Sequence, residues 1–170
     1  KTGYYGAVYQ DVRTNDFIAA HRGTLISLND LSDGYTDLKM VTRSMNNQSA
    51  DAEKLTRMAI AKAEEFHRNR PYLPKPSVTH TGHSLGGTHV QIQTYRFGHE
   101  GVTFNAYGAV RMHGVRQGNG DVTNYVKAAD AVSSANPHYG KVIILAEQDD
   151  LAPLKKSGYN NKSNTSAYHA

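Results

Sequence analysis

Runs of apolar residues of strand length alternate along this chain with stretches of helical period. Tyr4 to Tyr9 and Phe17 to His21 read as strands, and the polar stretch Asp11 to Asp16 between them predicts a β-hairpin. Arg22-Gly23-Thr24 ends the second run abruptly, and Leu25 to Tyr35, rich in Asp, Asn, Ser and Gly, reads as a loop. From about Gln48 to Arg68 the period becomes helical: Ala52, Leu55, Ala59 and Ala63 share a face, with Ile60 and Phe66 beside it. Ser49 is the expected cap, and Pro71, Pro74 and Pro76 break the helix. Val78 to Thr81 predicts a strand, Thr88 to Phe97 a helix stopped by Gly98, and Val102 to Ala106 a further strand. After the Gly-rich loop Gly114 to Gly120 come the strands Val122–Val126 and Lys141–Leu145, then a polar tail from Lys155 that reads as loop. This alternation predicts an α/β fold with a mostly parallel central sheet, helices on both faces and an N-terminal β-hairpin at one edge.

Composition narrows the picture. A chain of 170 residues suits a single domain with a real core, and a mean hydropathy of −0.61 with no apolar run near membrane-spanning length predicts no transmembrane helix. Lys1-Thr2-Gly3 leads straight into a strand-like run, so residues 1–170 are expected to be one domain of a longer protein, whose cellular address stays open. Cysteine is absent, which excludes disulfides, thiolate metal sites and cysteine nucleophiles. A net charge of +4 favours anionic surfaces: phospholipid, nucleic acid or cell wall. The one dense basic group, His67-Arg68-Asn69-Arg70, stands at a helix end, where cations offset the helix dipole, so no nucleic-acid module is expected.

The chemistry centres on Gly82-His83-Ser84-Leu85-Gly86-Gly87, between a predicted strand and a predicted helix. Gly-x-Ser-x-Gly in that setting is a nucleophile-elbow pattern; the plainer alternative is a Gly-rich turn. In an elbow the turn is so tight that the serine backbone is strained, and the flanking glycines let strand and helix pass closely. The hydroxyl then stands above the positive end of the helix.

A serine alcohol needs an imidazole to take its proton and a carboxylate to orient that imidazole. In the order Ser, acid, His, two places after Ser84 qualify for the acid: Asp130, behind the strand Val122–Val126, and Asp149-Asp150, behind Lys141–Leu145. Position alone does not separate them, and each is equally readable as a loop or capping Asp. For the base, His138 and His169 follow in order, whereas His89, His99 and His113 do not. One oxyanion donor is the backbone N–H of Leu85, and Thr24, where the loop after the second strand begins, is the candidate for the other.

These segments together resemble the class 3 lipases, an α/β-hydrolase group, and in particular its bacterial phospholipase-like effector branch. Ile18 to Thr24 is similar to the family's strand ending in Phe-Arg-Gly-Thr, and Thr81 to Gly87 matches its elbow. Thr103-Phe104-Asn105-Ala106-Tyr107-Gly108 is similar to its next strand, with Tyr107 in place of a proline, and Val122 through Val132 resembles its Val-Asn-x-x-Asp-x-Val. The Val-His-x-Gly-Phe stretch that contributes to the fungal lid has no counterpart here.

The resemblance implies a lipase or phospholipase A with Ser84 as nucleophile, Asp130 as acid and His169 as base. His138, Asp149 and Asp150 become alternatives, and Thr24 and Leu85 form the oxyanion hole. It implies no cofactor and no metal, a lipid or phospholipid substrate at a membrane surface, delivery as a secreted toxin effector, and an inhibitor or immunity protein as a further partner. Two other readings are weighed beside it: an esterase for small polar esters, and a non-catalytic binding domain that keeps the hydrolase fold.

Overall fold

The computed structural model describes residues 2–23, 34–128, 130–147, 152 and 156, with the backbone alone at 34–42 and 131. Six strands form one sheet in chain order: β1 (Gly6–Gln10), β2 (Phe17–His21), β3 (Val78–His83), β4 (Glu100–Phe104), β5 (Val122–Lys127) and β6 (Lys141–Leu145). β1 runs antiparallel to β2, with Val8 opposite Ala19, and every later pair is parallel. The chain is thus α/β with a mostly parallel sheet.

Helices α1 (Gly34–Asn69), α2 (Leu85–Phe97) and the single turn α3 (Ala131–Ser134) connect the parallel strands. Both long helices contact the sheet and each other, so they share one face. Helices on both faces were expected; among the described residues the two long helices lie on one. The strand order accounts for the difference: it never reverses, so right-handed crossovers all fall on one side. Ala19, His80, Thr103, Val122, Asn124 and Val126 point into that side and are buried. On the other face Ile18, Thr79, Thr81, Val102 and Phe104 line an open groove of about 690 Å³, and Phe104 is 46% exposed.

α1 begins at Gly34, well before the expected start near Gln48, and Ser49 lies inside it rather than capping it. The buried stripe carries the helix back past Gln48: Met45, Gln48, Ala52, Leu55, Thr56, Ala59 and Ala63 recur at helical spacing, but Gln48 is polar and interrupts the pattern in the sequence. Gln48 is buried because α2 supplies it with a partner, His89 Nε2, at 3.3 Å from Oε1. Beside such buried polar side chains, the core holds two apolar clusters. One cluster joins Met45, Leu85, Ile92, Tyr107, Ala109 and Val115; a second joins Ala19, Leu55 and Ala59 beneath α1. Each large side chain buried in this way contributes about 1.5–3 kcal/mol.

Candidate active site

Ser84 stands between β3 and α2 with φ 53° and ψ −129°, outside the regions that L-residues ordinarily adopt. Two hydrogen bonds and two close backbone approaches impose that conformation. The Ser84 N–H donates to the Phe104 carbonyl at the end of β4 (3.0 Å), and the Ser84 carbonyl accepts from the Gly87 N–H (2.9 Å), which starts α2. The helix then rests on neighbouring backbone: a β-carbon at Gly86 would overlap the His21 carbonyl oxygen, and one at Gly82 would stand 2.6 Å from the Gly86 oxygen. Only glycine fits at these two places.

The Ser84 side chain makes no capping bond to its own helix and is partly exposed. A serine at a helix N-terminus normally spends its oxygen on the N2 or N3 amide; here that oxygen is left for other chemistry. Leu85 is the first helical residue, so its N–H has no intrahelical acceptor, and α2 has no acidic side chain in its first turn to offset the positive end. The end of β2 reaches the same spot, since a β-carbon at Gly23 would lie 3.2 Å from Ser84 Cβ. Thr24, the other oxyanion candidate, follows directly in sequence and lies outside the described residues.

Asp130 follows β5, so it stands at the same carboxyl edge as Ser84, two strands away, or about 10 Å between strand axes. Asn105 holds the ends of these strands together. Its φ is 44°, its N–H donates to the Tyr125 carbonyl (2.8 Å), and its Oδ1 accepts from the Lys127 N–H (2.7 Å). The Asp130 N–H then donates to the Lys127 carbonyl (3.1 Å). Asp130 Oδ1 accepts from the Ser133 N–H at 2.7 Å and caps α3. The capping role weighed from sequence is therefore real, and it occupies one carboxylate oxygen.

No family model, curated protein or solved structure matches this chain.

His138 is buried, at 2% exposure, behind Asp130. Its Nε2–H donates to the Ser133 carbonyl (2.8 Å), which fixes Nδ1 as an acceptor, and Nδ1 receives the Gln91 amide at 3.3 Å. A ring bonded in this way at both nitrogens has no lone pair to offer a serine proton. His169, Asp149 and Asp150 lie outside the described residues.

The sequence reading missed Gln91, the centre of this region. Its Oε1 accepts from the Ala109 N–H (3.1 Å) and the Tyr139 N–H (2.9 Å), and its Nε2 donates to the Tyr107 carbonyl (3.2 Å) as well as to His138. Gln91 thereby ties α2 to the loops that follow β4 and α3. It missed Asn105 as well, whose positive φ is a position that Asn tolerates better than most residues. Among the described residues no group of three or more His, Cys, Asp or Glu side chains converges as a metal site would require.

Proposed function

We propose that this chain is a serine carboxylester hydrolase of α/β-hydrolase type, related to the class 3 lipases, that cleaves acyl esters of lipids. The conformation of Ser84 carries this reading. A non-glycine residue held at φ 53°, ψ −129° is strained by about 1–3 kcal/mol, and such strain collects at functional sites. Strand, strained serine and helix N-terminus in that order are the parts of a nucleophile elbow.

In the proposed reaction His169 takes the Ser84 proton as Oγ attacks the ester carbonyl. Asp130 holds the imidazole in the required tautomer and stabilises the imidazolium. The oxyanion is received by the Leu85 and Thr24 N–H groups. Collapse releases the alcohol, protonated by His169, and leaves an acyl-Ser84 ester. Water activated by the same imidazole then frees the fatty acid and restores the hydroxyl. The net charge of +4 favours an anionic phospholipid surface over neutral droplets. A toxin delivered to a target membrane, restrained by an inhibitor or immunity protein, is the context that the resemblance supports.

A fluorophosphonate probe tests the nucleophile and phospholipid vesicles test the substrate. The wild-type chain is expected to label at Ser84 and to release fatty acid from the vesicles, with both lost in Ser84→Ala. Full activity in Ser84→Ala, or no labelling of folded wild-type protein, overturns the proposal. Labelling with hydrolysis of short soluble esters alone overturns the lipid assignment.

A further inference from the structure

A hydrogen-bonded file of aromatic side chains runs between the sheet and the helices. Tyr4 Oη lies 2.8 Å from His21 Nδ1, His21 Nε2 lies 3.2 Å from His80 Nδ1, and His80 Nε2 lies 2.9 Å from His99 Nδ1. The rings stack as well: centroids are 5.5 Å apart for His21–His80 and 5.2 Å for His80–His99, and Phe97 covers His99 at 5.9 Å. His21 and His80 are buried at inward positions of β2 and β3, where a core of this kind ordinarily carries Val or Ile.

The groups facing the file offer little to balance a positive charge. From α2, His89 stacks on His21 at 6.3 Å, and His113 acts on His89 with Arg96 beyond it. From α1, Asp51 acts on Tyr4, and Arg57 lies over Phe97 at 5.3 Å, with Glu53 pairing both Arg57 (2.8 Å) and Arg96 (3.3 Å) rather than any imidazole. Among the described residues no carboxylate bonds any of these imidazoles. Burial lowers the pKa of His21 well below its ordinary value, brings His80 and His89 to about 3, and lowers His99.

Proton counting limits what the file can hold. Each N···N contact between rings accommodates one proton, so two protons sit in the His21–His80 and His80–His99 contacts. Three neutral imidazoles carry one more, on His21 Nδ1 or His99 Nε2. One extra proton fits on the remaining outer nitrogen, provided the Tyr4 oxygen accepts from His21. A second extra proton can enter only between two facing nitrogens, where two N–H groups would then oppose each other.

We propose that the Tyr4–His21–His80–His99 file is a proton-uptake site that binds one proton intact and comes apart on the second, releasing the α1–α2 layer from the sheet in acid. Because burial holds the folded-state values below the unfolded value of about 6.5, the unfolded chain binds more protons between the two. The stabilisation is therefore complete above that pH and is lost as pH falls. This device is independent of the esterase reading, since none of its groups is placed in the reaction.

Thermal unfolding of the whole chain from about pH 7.5 to about pH 4 tests it, beside the double variant His21→Phe/His80→Phe. The wild-type chain should take up at least about two protons per molecule on unfolding near pH 5, and the variant's acid midpoint should lie about one pH unit lower. A folded variant that follows the wild-type curve overturns the proposal. Nitrogen NMR of the wild-type imidazoles provides a readout should the variant fail to fold. Depressed, coupled titration of His21 and His80 is expected, and ordinary titration near pH 6.5 in the intact fold overturns it.

Discussion

A β-carbon on Gly86 would overlap the carbonyl oxygen of His21, so α2 begins with its backbone resting on the end of β2. Backbone on both sides leaves nothing flexible to move aside. Gly86→Ala is expected to cost about 3 kcal/mol in urea unfolding, as overpacking against a rigid neighbour does. Gly98 provides the contrast: a β-carbon there meets nothing within 4 Å, and only its φ of +69° resists a side chain. Gly98→Ala should therefore cost about 1 kcal/mol. Equal losses at the two positions would contradict the packing described for the elbow.

Ser84→Gly separates strain from chemistry. Glycine occupies the φ 53°, ψ −129° region without the steric cost that serine bears there. Relief of about 1–3 kcal/mol, set against about 0.5–1 kcal/mol of extra unfolded-state entropy for glycine, leaves a net gain of about 1 kcal/mol. For a chain of this size that raises Tm by about 2–4 °C. Calorimetry should show the rise for Ser84→Gly and none for Ser84→Ala, which keeps the strain, while ester hydrolysis is lost in both. A lower Tm for Ser84→Gly would mean that Ser84 is not strained.

Much of the sheet was legible because β2, β3, β5 and β6 carry apolar or β-branched runs bounded by Gly, Pro or polar turns. The α1 boundary was not, because the stripe that continues it includes Gln48, whose burial depends on His89, 41 residues away. Nor could local pattern expose the open face, which follows from the strand order of the whole sheet. At the site, the Gly82–Gly87 motif and the position of Asp130 were readable as local chemistry. The environment of His138 was not: Gln91, 47 residues earlier in the chain, supplies the amide that occupies its Nδ1. His21 and His80 each stood in a recognised strand, but their contact joins residues 59 apart.

Asp130 combines a cap with the proposed acid, and substitutions can divide the two. Asp130→Ala removes the acceptor for the Ser133 N–H and should cost about 1 kcal/mol of stability. Asp130→Asn keeps a capping oxygen and should be nearly as stable as wild type. Both should lose kcat by about 10³–10⁴-fold if the carboxylate orients the catalytic imidazole, the scale seen when a serine triad loses its aspartate. An Asn variant with intact kcat would leave Asp130 with the cap alone and direct attention to Asp149 and Asp150.

Two buried glutamines on α2 should respond in opposite directions to replacement by an apolar residue. Gln91 satisfies four partners: the Ala109 and Tyr139 amides, the Tyr107 carbonyl and His138 Nδ1. Gln91→Leu strands the Ala109 and Tyr139 amides where water has little access, while the Tyr107 carbonyl keeps its bond from Thr88 Oγ1 at 2.9 Å. At about 1–3 kcal/mol for each buried amide left unpaired, the loss should be about 4 kcal/mol. Gln93 is buried as deeply, but among the described residues its Nε2 has no partner, and its Oε1 accepts from Thr56 Oγ1 at 3.3 Å. The one Thr56 hydroxyl proton, shared with the Ala52 carbonyl at 3.1 Å, goes wholly to that carbonyl when Gln93 is replaced. Gln93→Met therefore removes an unpaired amide at similar volume, and it should leave stability unchanged or raise it by about 1 kcal/mol. Chemical denaturation of both variants checks the pair. A destabilisation of Gln93→Met as large as that of Gln91→Leu would show that burial depth, rather than hydrogen-bond satisfaction, sets the cost on this helix.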